Sequence, residues 1–388
     1  MLGGVRRLLI LVSAIMLVDT LFYAALTPLL PHYADTFGLS KTGAGLLTAA
    51  FGIGTLTGSI PAGMLAARTG PKPVALLGLG LLAATSLAFG FGHSIAILDA
   101  ARFCQGFGGA CTWTGALAWL VSRAPRERRG ELIGSALGAG IAGALLGPLV
   151  GGAAASFGTG RVFSAVAAIG VGIGVAAALA PAGPPDQPQT LADLLPHLRN
   201  PRLVMSSWLV ALPALLFGVV SVLGPLRLHA LGFGALGISA VFLLSAGVES
   251  VLSPVVGRLA DRRGSAALVR AAALGSAAVT VLLPLMHQRF ALGTVVVGAG
   301  LAYGVFWIPA MTGLIEGTES FGLDASFAFA LMNLAWAAGQ GIGSFGGGTL
   351  GGLAGDKATY WGAAVLCVLT LAAVGLTRPA SQAYPEAT

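Results

Sequence analysis

Long stretches of this chain carry almost no charge, and no other feature limits its folding options as much. Residues 8–30, 43–66, 73–92, 95–120, 131–156 and 161–181 form six predominantly apolar runs; 203–225, 236–257, 266–286, 290–315, 323–350 and 358–377 form six more. A helix needs roughly 20 apolar residues to cross the ~30 Å hydrocarbon layer of a bilayer, and every run reaches that length. Only 9% of the 388 residues are charged and 56% are hydrophobic, where soluble domains carry about 25% charged residues. A water-soluble fold of this size would lack the polar surface to cover itself. The alternating segments of a membrane β-barrel do not occur, so helices remain the way to satisfy the backbone in lipid. The expectation is an all-α integral membrane protein with twelve transmembrane helices. The 59 glycines suit such a bundle, because small residues let helix backbones approach closely.

The net charge of +7 raises the possibility of nucleic acid, and its distribution argues against it. With the N-terminus inside, the cytoplasmic segments hold Arg6, Arg7, Arg68, Lys72, Arg123, Arg126, Arg128, Arg129, Arg199, Arg202, Arg258, Arg262, Arg263, Arg270 and Arg378. The external loops hold Lys41, Arg161, Arg227, Arg289 and Lys357, and Arg102 lies within a span. Fifteen basic residues against five is the positive-inside bias, which puts both termini in the cytoplasm. Arg6 and Arg7 before an apolar run resemble the start of a secretion signal, but the run is too long, contains Asp19 and lacks a small-residue cleavage site. It is read as the first span. Cys104, Cys111 and Cys367 fall inside spans and read as buried small hydrophobes. No metal-spaced His/Cys cluster and no phosphate-binding G-x-x-x-x-G-K-[ST] loop occurs. No cofactor or metal is expected, no interfacial catalytic cluster marks an enzyme, and an ion gradient is the more plausible energy source than ATP.

The chain divides near its midpoint. Residues 182–202, PAGPPDQPQTLADLLPHLRNP, are proline-rich and hydrophilic. They are read as a cytoplasmic linker between a six-helix unit at 1–181 and another at 203–388. LADLLPHL within the linker reads equally as a short surface helix or as plain chain. The two units match each other. A shift of 194 residues lays Pro31 on Pro225, Gly38 on Gly232, Gly43 on Gly237 and Ser59 on Ser253, and GMLAARTG (63–70) on GRLADRRG (257–264). A shift of 196 lays Gly143, Gly147, Gly151 and Gly152 on Gly339, Gly343, Gly347 and Gly348.

Two parallel six-helix repeats resemble the major facilitator superfamily, whose substrate site lies between the halves near the midplane. Three motifs carry the resemblance. GMLAARTGPKP after the second span is similar to the family's G-x-L-a-D-R-x-G-r-K loop, with Gly63, Leu65, Arg68, Gly70 and Lys72 kept and Ala67 in place of the usual acid. The second copy keeps Asp261, Arg262 and Gly264. The resemblance implies that this loop clamps cytoplasmic helix ends and biases which side opens, with Asp261 carrying more of the clamp. RFCQGFGG (102–109) resembles the family's R-x-x-Q-G-x-G motif, linked there to proton transfer. An arginine inside a span costs at least ~2.5–3.5 kcal/mol, so it should face a cavity or an acid, unless it snorkels to the outer surface. Gln105 at i+3 shares its face. GALLGPLVGG on the fifth span matches the antiporter pattern G-x-x-x-G-P-x-x-G-G at Gly143, Gly147, Pro148, Gly151 and Gly152. That match implies export by exchange.

Asp19 is the leading candidate for the chemistry. It sits mid-span, where burial disfavours the anion, and a group that gains and loses a proton as solvent access changes is what a proton-coupled carrier needs. MLVDTLFYAALTPLLPHY (16–33) is similar to the first span of vesicular monoamine transporters and related drug–proton antiporters, in which the acid contacts the substrate amine. Tyr23, at i+4, could offer its ring to a cation. Asp19 could instead simply pair with Arg102. Glu249 is the other mid-span acid, flanked by Ser245 and Ser253, and is either a second coupling group or a structural glutamate. Asp99, near the outer end of the fourth span, reads as a wetted surface acid. Tyr303, Trp307 and Met311 on the tenth span, and Asn333, Trp336 and Gln340 on the eleventh, each share a helical face and could line a cavity or simply pack. The expected activity is proton-coupled export of a small amphipathic compound or drug, with a cation favoured by the acids and rings; efflux of a neutral metabolite such as a sugar or amino acid is the alternative. The expected partners are the small molecule, protons and the lipid bilayer, with no nucleic acid and a monomeric state. Arginine-, alanine- and glycine-rich composition suggests the inner membrane of a bacterium.

Overall fold

A computed structural model describes residues 2–125, 128–182, 195–323 and 325–376. The described residues are helical throughout, without strands. Ten helical units are each long and apolar enough to cross a membrane. The continuous helices Ile95–Arg123 and Ala325–Leu353 bring the spans to twelve. In order they are Leu2–Ala24 continued by Leu26–Phe37, Lys41–Thr69, Pro71–Phe91, Ile95–Arg123, Arg129–Phe157 and Thr159–Leu179. The second half repeats the series with Pro201–Ala230, Ala235–Arg263, Ser265–Leu282, Arg289–Gly304 continued by Trp307–Glu319, Ala325–Leu353 and Gly355–Leu376. Most of the linker, including the first half of LADLLPHL, lies outside the described residues. Its end forms a single 3-10 turn, Leu195–His197.

Two spans are broken, each for the same reason. Pro28 has no N–H to give the carbonyl of Ala24, and Pro309 has none for Val305. The first span breaks at Ala25, whose N–H reaches both Leu21 O (3.1 Å) and Phe22 O (3.3 Å). The tenth breaks at Val305 and Phe306, where Phe306 N bonds Tyr303 O at 3.3 Å.

Glycine seams hold each half together, and they recur from half to half. A Cβ on Gly143, Gly147 or Gly151 would strike the backbone of the first span at Leu17, Leu21 and Ala25. A Cβ on Gly339, Gly343 or Gly347 would strike the seventh span at Ala211, Leu215 and Val219. Each second-half partner stands 194 residues beyond its first-half counterpart, so the repeat read from the sequence is a repeat of backbone contacts. The next glycine along each helix faces the opposite half. Gly152 abuts Ser239 of the eighth span and Gly348 abuts Gly45 of the second, and 45 and 239 are again 194 apart.

These cross-half contacts set the conformation. On the second span, the face bearing Gly45 and Gly52 packs on Ser344 and Ala337 of the eleventh, while Gly63, three turns further in on that face, has open space beside it. On the fifth, Gly152 packs on the eighth span, whereas Gly138 on the same face is open. Both helix pairs therefore diverge toward the end that carries the chain termini. At the opposite end, Lys41 of the second span bonds Asp356 at the start of the twelfth at 2.5 Å, and His229 of the seventh meets Asp35 of the first at 3.1 Å. The two halves are closed at that end and open at the end of the termini, which is inward-open in the orientation expected from the basic residues.

Candidate functional site

Six residues from three spans of the first half and one from the second converge at mid-membrane. The face of the fourth span carries Arg102, Gln105, Gly109 and Trp113 at three- and four-residue spacing, so a single helix presents all four to the first span. Asp19 lies against Gly109: a Cβ there would stand 3.4 Å from Asp19 Oδ2 and 3.4 Å from Phe51 Cζ. The approach of the second and fourth spans that brings in Phe51 depends on Gly106, where a side chain would strike the Phe51 carbonyl.

Asp19 is 2% exposed. Its Oδ2 accepts from the Trp113 indole N–H at 3.2 Å, and its Oδ1 has no partner among the described residues. Arg102, also 2% exposed, donates from Nη1 to Gln105 Oε1 at 2.6 Å and from Nη2 to the Tyr23 carbonyl at 2.9 Å. That carbonyl lies in the last turn before the break at Ala25. The guanidinium also lies against the rings of Tyr23 (5.1 Å) and Phe51 (4.9 Å). Asp19 and Arg102 form no ion pair within 4 Å among the described residues. The Thr112 hydroxyl adjoins the carboxylate but donates to the Gly109 carbonyl at 2.9 Å, so Oδ1 is left without a donor, and the snorkelling arrangement does not occur for Arg102.

The rings form a box that crosses the two halves. Tyr23 packs on Phe51 at 4.5 Å, and Trp336 of the eleventh span meets both, at 5.5 Å and 6.1 Å. Phe51 and Trp113 were not singled out from sequence. Trp113 could have been, since it lies three turns from Arg102 on the same face; Phe51 has no distinguishing signal among so many apolar residues.

Other expected site residues lie elsewhere. Tyr303 is fully buried in the second half, hydrogen-bonded to Thr280 (2.8 Å) and edge-on to Phe217. Trp307 stands beyond the break at Val305, so it and Tyr303 do not share one continuous helical face. Glu249 is half-buried and lies against Gly304, at that break, with Trp307 nearby; it is not part of the Asp19 group. Gln340 is buried and faces the seventh span, donating to Ser344 at 3.5 Å. Asn333 is half-buried.

In the loop motif, Lys72 donates to the carbonyls of Ala178 (2.7 Å) and Ala180 (2.6 Å), capping the sixth span within its own half. Gly70 and Gly264 both take positive φ, +89° and +80°, the backbone reason that both copies of the motif keep a glycine there. Arg68 and Arg262 are exposed. The side chain of Asp261 lies outside those described.

A family profile described as Major Facilitator Superfamily matches residues 12–323. A chloramphenicol resistance protein of Streptomyces lividans is 30% identical over 356 residues, covering 89% of this chain and 90% of that protein. Quinolone resistance protein NorA of Staphylococcus aureus is 28% identical over 107 residues, 28% of each chain. Among solved structures, a bacterial homologue of the lysosomal transporter Spinster, inward-facing and occupied, superposes with a TM-score of 0.77 at 18% identity over 95% of both chains. A D-xylose–proton symporter gives 0.78 at 15% identity over 97% of this chain and 98% of that one. At those identities the two structures speak for the fold alone.

Proposed function

The chain belongs to the Major Facilitator Superfamily and is a membrane transporter, and we propose that it exports a small aromatic or amphipathic compound, cationic in its best-fitting form, in exchange for protons. The observation that carries this reading is Asp19: a carboxylate buried beside the ring cluster, bonded to the Trp113 indole, with one oxygen without a hydrogen-bond partner among the described residues and no arginine within ion-pair distance. Such a group holds either a proton or a cation, and the competition couples the two fluxes. Tyr23, Phe51, Trp113 and Trp336 supply ring faces for the apolar body of the compound and for a cation. Because the box includes Trp336, rocking the halves takes it apart and releases the compound outward. The two resistance proteins among the relatives support export. Glu249, in the other half, is a second coupling carboxylate in this scheme. The units 1–181 and 203–388 move as bodies about the linker 182–202, in a monomer in a bacterial inner membrane with both termini cytoplasmic.

A neutral compound is the second reading, favoured by the relative named for resistance to chloramphenicol, which is uncharged at neutral pH. Both readings meet one experiment: proton release from purified protein in detergent on addition of tetraphenylphosphonium or chloramphenicol, wild type against Asp19→Asn. Release by the cation from the wild type alone supports cation exchange at Asp19. Release by chloramphenicol alone moves the substrate class to the second reading. No release by either, or equal release from the variant, removes Asp19 from the mechanism.

A further inference from the structure

Eight buried side-chain atoms have no hydrogen-bond partner among the described residues, and five of them lie along the first and fourth spans: Asp99 Oδ1, Tyr33 Oη, Arg102 Nε, Gln105 Nε2 and Asp19 Oδ1. Buried polar groups without a protein partner are ordinarily hydrated, and a buried water makes about three hydrogen bonds. Four of these occur at successive depths. Asp99, Arg102 and Gln105 stand at i, i+3 and i+6 on one face of the unbroken helix Ile95–Arg123. Gly109, which abuts Asp19, is one turn further. At 1.5 Å per residue, Asp99 to Gly109 covers about 15 Å, half the hydrocarbon thickness. Tyr33, 5% exposed, sits on the outer segment of the first span within electrostatic reach of Arg102. Asp99 itself is half-exposed with its Oδ1 turned out of solvent, so it is not simply the wetted surface acid expected from sequence.

We propose that a hydrated proton route, separate from the substrate cavity, runs inside the N-terminal half from Asp99 at the external surface past Tyr33 and Arg102 to Asp19. It rests on the reading that Asp19 exchanges protons. External water protonates Asp99; the proton passes by exchange of O–H bonds through water and the Tyr33 hydroxyl, and ends on the Asp19 carboxylate. From there it leaves to the cytoplasm when the molecule is open inward. Only O–H bonds form and break, and no redox partner is needed. The contacts Lys41–Asp356 and His229–Asp35 lie between the halves, whereas this route runs within the first half. Protonation of Asp19 along it, once the halves have rocked to the outward-open form, displaces the compound to the outside. Arg102, whose guanidinium lies against the Tyr23 and Phe51 rings, borders the route with its unpartnered Nε–H.

The test uses the full-length protein in liposomes, with Asp99→Asn and Tyr33→Phe compared with wild type. Two rates are measured with whichever of tetraphenylphosphonium and chloramphenicol releases protons in detergent. The first is transport driven by a pH gradient; the second is counterflow at equal pH, which needs no net proton movement. The expected result is a fall of roughly tenfold or more in the driven rate with counterflow unchanged in both variants. Driven rates within twofold of wild type in both variants would overturn the route, as would a parallel loss of counterflow, which marks a structural or binding role. A wild type indifferent to the gradient would instead refute proton coupling itself, and the route with it.

Discussion

Replacing Asp356 by asparagine should open the external side. Asp356 Oδ1 receives Lys41 Nζ across the two halves at 2.5 Å, and Oδ2 lies 3.7 Å from Arg227 Nη1 of its own half. Arg227 is held in place independently, because Nη2 donates to the carbonyls of Pro284 (3.0 Å) and Met286 (2.9 Å). Asparagine at 356 therefore removes the cross-half charge pair without freeing the arginine. At an effective dielectric of about 20, unit charges 4 Å apart attract by about 4 kcal/mol. Desolvation and ordering of the lysine offset much of this, and the Lys41 side chain is 38% exposed, so the net loss is about 0.2–1 kcal/mol. That corresponds to a shift of about 1.4- to 5-fold in the ratio of closed to open external ends. Lys41→Met should cost about the same, and the double variant no more than either alone, as for any pair acting through one contact. Spin labels on cysteines replacing Thr36 and Lys357, in a background without the three native cysteines, read the distance across the external end. Growth of a longer-distance population in both single variants is the expected result. Distance distributions that superimpose on the parent would refute the assignment of this pair as a closing contact.

Three further outcomes follow from the same coordinates. Trp336→Ala removes the second half's ring from the box and should weaken binding of tetraphenylphosphonium by about 1–2 kcal/mol, the worth of a cation–ring contact in a desolvated site; calorimetric titration reads it, and unchanged affinity would show that the box closes only for packing. Gly147→Val and Gly343→Val should each destabilise by at least about 1–3 kcal/mol through overpacking against backbone, whereas Gly138→Ala, with open space beside it, should be near neutral; thermal unfolding in one detergent compares them, and equal melting temperatures would undo the seam assignment. Gly138→Cys, in a cysteine-free background, should react with a membrane-impermeant maleimide from the cytoplasmic side, and protection there would contradict an inward-open cavity.

All twelve spans were legible because the cost of putting charge into hydrocarbon writes itself along the chain residue by residue. The repeat was legible for a related reason: where two helix backbones touch, only glycine fits, so Gly143, Gly147 and Gly151 and their counterparts recur with little freedom to drift. Asp19, Arg102 and Gln105 stood out as polar groups in apolar surroundings, and the bond between Arg102 and Gln105 followed from helical spacing. Phe51 was invisible because its role comes from where the second span crosses the fourth, and crossing geometry leaves no mark on a phenylalanine. Tyr303 and Trp307 were put on one face because an unbroken helix was assumed. Pro309 was in view, but a proline in a membrane helix either kinks or breaks it depending on neighbours that are distant in sequence. Asp99 was read as wet from its nearness to a helix end, and depth alone does not say which way a carboxylate oxygen points.

The two halves agree where backbones meet and differ where charges sit, and that division has a mechanical meaning. Shifting Asp19 by 194 residues lands on Pro213, and shifting Glu249 back lands on Thr55, which is buried and bonds the backbone at Phe51 (3.0 Å) and Gly106 (3.2 Å). Neither carboxylate has a partner in the repeat, whereas each glycine of the seams does. Each half must keep its seam closed while it rocks, and each must present the same cross-half face at Gly152–Ser239 and Gly348–Gly45, so both halves bear the same packing constraint. In the proposed scheme Asp19 and Glu249 act in coupling at different places, so neither is bound by the packing constraint that the two halves share. Substitutions in equivalent seam glycines should therefore cost alike in stability, while substitutions at Asp19 and Glu249 should differ in their effect on coupling.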